Sequence, residues 1–229
     1  MATLQKSLLF LFLYLGFPTL TIGLSPVRWG EAVEIGGIKQ WITAKGTSDT
    51  NPVLLFLHGG PGNSVMAYAD KFTKELQQHF IVVLWDQRGS GKTAKLNQVQ
   101  PELSLEKLKA DALEVVIFLE KRFSTDKIYL AGHSWGGFLA LTVAAKAPQL
   151  LEACFVISPM VYQIESERLS LQWMKDQAEI KKRNDARIEL DQVKVPFENG
   201  MQLYFHRKWL AIFQGAHLAP LYQSTEGLQ

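Results

Sequence analysis

An α/β fold, a mostly parallel sheet with flanking helices and the start of a helical cap, is predicted by three observations. Apolar runs of strand length at residues 52–57, 80–85, 127–131 and 151–158 alternate with helix-length segments. That alternation is the pattern of a parallel sheet with right-handed crossovers. Three of the runs end in glycine-rich strings, at the carboxyl ends of strands, where ligands bind on such sheets. After Pro159 the alternation stops and the chain becomes charged and helix-like.

Taken in order, residues 1–24 read as an export leader. Lys6 precedes an apolar run over residues 8–15, Gly16 and Pro18 break it, and Thr21-Ile22-Gly23 offers modest residues at a cleavage site. A signal peptide is the first reading, and an uncleaved membrane anchor the second, because weaker apolarity continues to Leu24. Export to the periplasm or the extracellular space is therefore expected. Residues 25–160 form the core of the fold. Residues 38–43 alternate like an antiparallel strand, and 52–57 read as a strand buried on both faces. A short helix is expected over 67–78 and a second buried strand over 80–85. Ser104 caps a helix running to about Phe123, with Leu105, Leu108, Ala112, Val115, Val116 and Leu119 on one stripe. Residues 127–131 form a third buried strand, 135–147 a helix stopped by Pro148, and 151–158 a fourth strand. Residues 161–229 read as helical cap, helix-like from Gln163 to about Arg187 and again where Phe205, Trp209, Ile212 and Phe213 recur.

Composition narrows the function. The net charge is +2, which supplies no field for nucleic acid, and the basic run Lys181-Lys182-Arg183 lies among Asp176, Glu179 and Asp185 as a solvated helix face does. The single cysteine, Cys154, has no disulfide partner and is read as a small buried core residue. No Cys/His cluster has zinc spacing, and neither a metal nor an organic cofactor is implied.

The chemistry sits in the three glycine-rich strings. Gly132-His133-Ser134-Trp135-Gly136 fits G-x-S-x-G between a buried strand and a helix. That context makes Ser134 the candidate nucleophile on a sharp strand-to-helix turn, with the Trp135 amide at the helix start able to donate to an oxyanion. His58-Gly59-Gly60-Pro61-Gly62 ends the strand expected beside it; Gly60 is the candidate second donor, since Pro61 has no N–H. Such donors each supply about 2.7–4 kcal/mol of transition-state stabilisation. Asp86-Gln87-Arg88-Gly89-Ser90-Gly91 is read as structural, with an Asp86–Arg88 pair holding a loop, and His58 and Gly59 as parts of a supporting loop. His133 leaves the turn in another direction than Ser134.

The trio HGGPG, DQRGSG and GHSWGG resembles the proline iminopeptidase branch of the α/β-hydrolase superfamily, over about Val33 to Met160. The resemblance implies Ser134 as nucleophile, Gly60 and Trp135 amides as the oxyanion hole, and hydrolysis of an amide or ester at a free N-terminal residue of a small peptide. A related esterase or amidase, and a fragment without activity, are the alternatives. In that family cap carboxylates hold the substrate amino group. Glu165, Glu167, Glu179, Glu189 and Glu198 lie in the predicted cap, each also readable as a solvated helix face.

In this fold the triad runs Ser, acid, His along the chain. Only His206 and His217 follow Ser134; Asp176, Asp185 and Asp191 precede both, and none follows a predicted sheet strand. His217 is the candidate base by order alone. The stronger expectation is that the last strands, the acid and the base are missing, leaving a sheet edge without its partner and apolar surface exposed.

Overall fold

The computed structural model describes residues 25–98 and 102–215; the predicted leader and His217 lie outside them. Six strands form one sheet, in the order β1-β2-β4-β3-β5-β6. These are β1 (Val27–Ile35), β2 (Ile38–Gly46), β3 (Val53–Leu57), β4 (Ile81–Asp86), β5 (Ile128–His133) and β6 (Leu151–Ile157). The β1–β2 and β2–β4 pairs are antiparallel, and the β4–β3, β3–β5 and β5–β6 pairs are parallel. The helices are α1 (Asp70–Thr73), α2 (Gly91–Leu96), α3 (Leu105–Phe123), α4 (Trp135–Lys146), α5 (Gln163–Ile180), α6 (Asn184–Leu190) and α7 (Gly200–Ile212).

One face of the sheet carries the main core. Leu108, Ala112, Val115, Val116 and Leu119 of α3, with Leu139, Ala140 and Val143 of α4, pack on Ile42, Leu55, Val83, Trp85 and Leu130. The α3 stripe is the predicted one except that Leu105 is exposed, and the Ser104 hydroxyl accepts from the Lys107 N–H at 3.3 Å. On the other face Val65 and Ala69 cover Val82 and Leu84. That cover is thinner, so β4 is buried throughout while Leu54 and Phe56 of β3 are only half-buried. The expectation of a strand buried on both faces holds for β4 rather than β3.

Two further expectations are corrected, and one strand is added to them. The helix over 67–78 is instead the short α1 followed by a 3-10 turn at Leu76–Gln78. It has no side-chain cap, and Ala69 and Thr73 are too small a buried face to hold a longer helix. β1 was not predicted, because most of it is exposed and its apolar alternation is weak. Its signal was the Gly36-Gly37 turn, where both residues have positive φ (56° and 73°), as a two-residue hairpin requires. Finally, Cys154 is exposed rather than buried. It lies on β6, the outermost strand, where Phe155 is 65% and Ile157 41% exposed. The apolar neighbours of Cys154 report strand propensity; the residue is exposed because β6 has no strand on its outer side among the described residues.

The helices α5, α6 and α7 build a second core from Met174, Ala178, Ala186, Leu190, Trp209 and Phe213. Two of its helices are those expected between Gln163 and Arg187. The third carries the recurring aromatics, capped by the Asn199 side chain, which accepts from the Gln202 N–H.

Candidate active site

The parallel strands place the three glycine-rich loops at one end of the sheet. Ser134 joins β5 to α4 with φ 54° and ψ −116°, a conformation that strains any residue but glycine. The turn is tied on both sides. The Ser134 N–H donates to the Ile157 carbonyl at 2.9 Å, and its own carbonyl accepts from the N–H groups of Phe138 (3.1 Å) and Met160 (3.2 Å). The flanking glycines are where backbones pass. A Cβ on Gly132 would lie 2.2 Å from the Gly136 carbonyl oxygen, and one on Gly136 would lie 2.0 Å from that of Leu57. Only a sequence without side chains at both positions can fold the strand against the helix so tightly.

The loop after β3 lies against this turn. A Cβ on Gly59 would sit 3.4 Å from that of Ser134. Gly60 has φ 124°, and a Cβ there would meet the Gly62 nitrogen at 2.5 Å. Among the described residues neither the Gly60 nor the Trp135 N–H has an acceptor. Two backbone donors therefore stand unpaired in the segments flanking a half-buried serine hydroxyl, which itself has no hydrogen-bond partner among those residues.

His58 is bonded within its own loop and to the next one. It is buried, its Nδ1–H donates to the Gly59 carbonyl at 2.8 Å, and its Nε2 accepts the Gln87 N–H at 3.2 Å and lies 3.1 Å from Ser90 Oγ. Asp86 is also engaged by the chain itself: its carboxylate accepts from Ser64 Oγ and, at 2.7 Å, from the Lys92 N–H at the start of α2. The expected Asp86–Arg88 pair does not form. Arg88 pairs instead with Asp111 on α3, through Nε at 2.8 Å and Nη2 at 2.9 Å, and also reaches the Gly36 carbonyl. Asp111 lies on a separate helix, 23 residues away in sequence, so no local motif announced it. Gln87, which sequence reasoning did not single out, joins the loops: Nε2 donates to the His58 carbonyl at 2.8 Å, and Oε1 accepts from the Trp135 indole at 3.0 Å.

The histidines give no base for Ser134 among the described residues. His133 is exposed at the end of β5, and its ring has no hydrogen-bond partner among the described residues. His206 is fully buried in the α5–α7 contact; its Nδ1 accepts from Arg207 at 2.8 Å and its Nε2 faces Ser170 Oγ at 3.0 Å and the Glu167 carboxylate at 3.2 Å. Glu167 is not a solvated residue, contrary to the simple reading of its helix. It is buried, and its carboxylate is gripped by Arg207 and Gln163. Burial pushes that carboxyl up, but Arg207, Gln163 and His206 together outweigh the effect and hold it below the usual range. Glu165, Glu189 and Glu198 are ion-paired to Arg168, Lys208 and Lys194; Glu179 is exposed and unpaired among the described residues.

Burial lowers the pKa of His58, against the smaller raising effects of the Gly59 carbonyl and Asp86, and burial likewise lowers that of His206. Both rings are held neutral, and a proton on His58 Nε2 would face the Gln87 N–H. A base whose folded pKa lies below its unfolded value of 6.5 takes up its proton first in the unfolded chain. The stabilisation is therefore present above about pH 6.5 and declines as pH falls from there towards the folded values. The urea midpoint is expected to be lower at about pH 5.5 than at about pH 7.5; equal midpoints would show that neither ring is held neutral by the fold.

Comparison with known proteins follows the same geometry. A family profile described as the alpha/beta hydrolase fold matches residues 52–210. A probable aminopeptidase, YbaC, of Bacillus subtilis is 39% identical over 152 residues, 66% of this chain and 48% of that protein. A proline iminopeptidase of Clostridioides difficile is 32% identical, over 66% of this chain and 46% of that protein. The chain thus spans about half the length of these curated relatives. The solved structure of a proline iminopeptidase-related protein from Thermus thermophilus superposes with a TM-score of 0.53 at 23% identity, covering 82% of this chain and 67% of that one. It is similar in fold.

Proposed function

Because the chain belongs to the α/β hydrolase fold family, we propose that it carries the nucleophile and oxyanion donors of a serine hydrolase that releases N-terminal residues from small peptides. The observation that carries this reading is Ser134 itself, a non-glycine residue at φ 54° on a turn that two obligatory glycines compress between strand and helix. Strain of that kind persists where the surrounding fold over-determines it, and it clusters at reactive groups.

In this mechanism Ser134 Oγ forms a bond to the substrate carbonyl carbon, and the carbonyl π pair moves onto oxygen. The resulting oxyanion accepts from the unpaired N–H groups of Gly60 and Trp135. Collapse of the intermediate breaks the C–N bond and the amine leaves with the proton taken from Ser134; water then adds to the acyl–Ser134 ester, and the C–Oγ bond breaks to release the carboxylic acid while Oγ regains a proton. The hydroxyl proton passes to an imidazole base. His58 and His206 do not fit that role, since their ring nitrogens are already engaged. His217 follows Ser134 in order alone and lies outside the described residues; the stronger reading places the base in the part of the relatives' length that this chain does not span. Release of N-terminal residues is supported by the names of the Bacillus and Clostridioides relatives. One observation favours a second reading, an esterase or amidase with a different cap: four of the five cap glutamates already pair with Arg or Lys, which leaves them less free to hold a substrate amino group.

The test uses the full chain and a fluorophosphonate probe. Covalent labelling is expected, with complete loss in Ser134→Ala at unchanged fold; absence of labelling in the folded protein would sink the serine-nucleophile reading. Prolyl and alanyl arylamides turned over faster than acyl esters would support the aminopeptidase, and the reverse order the esterase.

A further inference from the structure

The glycine-rich loops are far apart in the chain, yet one buried side chain connects them. Gln87 is 1% exposed and lies between the loop after β3 and the first turn of α4. The Trp135 indole N–H can only donate, so it fixes Oε1 as its acceptor; the His58 carbonyl can only accept, so it fixes Nε2 as its donor. The amide orientation follows from these two neighbours without ambiguity. The backbone N–H of the same residue adds a third bond, to His58 Nε2. The loop bearing Gln87 is itself anchored, because the next residue is locked to α3 through the buried Arg88–Asp111 pair.

We propose that Gln87 is a positioning residue: its side-chain amide is a rigid strut that sets the spacing between the two oxyanion donors, Gly60 and Trp135. Gly60 lies two residues beyond His58, and the Trp135 N–H belongs to the residue whose indole Gln87 holds. One planar amide thus touches both donor-bearing segments. Between them no other side-chain hydrogen bond runs among the described residues; the β3–β5 pairing ends at Leu57 and Gly132, and beyond it the segments meet where Gly59 approaches His133 and Ser134 and where Gly136 approaches the Leu57 and His58 carbonyls. Leucine at position 87 would keep much of the volume and remove both bonds. It would also leave the indole N–H and the His58 carbonyl buried without partners, so the two segments would drift apart by the small distances to which oxyanion stabilisation is sensitive.

This inference rests on the serine-nucleophile reading, and its test separates the two. Full-length wild type, Gln87→Leu and Trp135→Phe are compared by fluorophosphonate inactivation and by amide hydrogen exchange. Trp135→Phe keeps the backbone donor and deletes only the indole N–H, and it serves as the second variant if Gln87→Leu does not fold. The expected result is a fall in the maximal inactivation rate of roughly ten- to a hundredfold, with the half-saturating probe concentration little changed. Faster exchange confined to residues 58–64 and the first turn of α4 is expected alongside it. A purely structural glutamine would instead loosen the whole fold and move exchange throughout α3 and the sheet. Unchanged exchange in the two segments would overturn the inference, as would unchanged inactivation kinetics in a labelled protein. If wild type does not label at all, the nucleophile reading fails, and the exchange pattern alone decides whether Gln87 holds the segments together.

Discussion

Asp111→Ala is expected to lower the unfolding free energy by about 3–5 kcal/mol, the usual consequence of removing one partner from a buried ion pair. The carboxylate accepts from Arg88 Nε and Nη2 and from Gln40 Nε2 at 2.8–2.9 Å, and both charged side chains are almost fully buried. Alanine would strand the guanidinium with the Gly36 carbonyl as its remaining acceptor. It would also leave Gln40 Nε2 with the Ile35 carbonyl as its one remaining acceptor, loosening the amide whose oxygen holds the Trp85 indole in the core at 2.9 Å. Urea unfolding measures the loss. The double variant Arg88→Met, Asp111→Leu should recover much of it, because two apolar groups of similar size leave no uncompensated charge. A loss below about 1 kcal/mol in Asp111→Ala would mean that water reaches the pair and that it does not anchor the loop.

The second large effect is steric. In Gly136→Ala the new methyl would lie 2.0 Å from the Leu57 carbonyl oxygen and 2.6 Å from that of His58. Both are backbone atoms of the segment α4 packs against, so neither can rotate aside. Helix α4 must move off the sheet, carrying Ser134 out of its strained turn. Overpacking in a tight core costs about 1–3 kcal/mol, occasionally more. A backbone-on-backbone clash belongs at the upper end, with loss of fluorophosphonate labelling whatever the residual stability. Gly200→Ala is the control: a Cβ there meets nothing within 4 Å, and no change of the unfolding midpoint downward is expected. A Gly136→Ala protein with wild-type midpoint and labelling would show that the close approach is not a constraint.

The predicted parallel arrangement is the observed one, and the main departures have identifiable causes. Continuous apolar runs were readable as strands because a strand between two others must be apolar on the face it buries, as β4 is throughout. The β1 hairpin was not read, since an exposed strand has little apolar alternation to detect; its two-glycine turn was the available sign. Cys154 has apolar neighbours, yet it is exposed, because β6 lies at the edge of the sheet among the described residues. At the candidate site Ser134 and its glycines are legible from the G-x-S-x-G string together with the buried strand before it and the helix after it. The partner of Arg88 was not, and Glu167, read as one of several solvated acids, proved to be the buried centre of a Gln163–Arg207–His206 cluster.

What the sequence determined by itself is the strand–loop–helix order and the serine turn. Gly132 is demanded locally, where β5 passes the start of α4, while Gly136 is demanded by the end of β3 at Leu57 and His58; the turn itself is written in five consecutive residues. Only the tertiary structure decided which side chains meet: Arg88 with Asp111, Gln87 with both His58 and Trp135, His206 with Glu167. Those pairings depend on how distant elements pack. A buried polar group takes whichever partner the packing brings within hydrogen-bond reach, and no spacing along the chain encodes that choice.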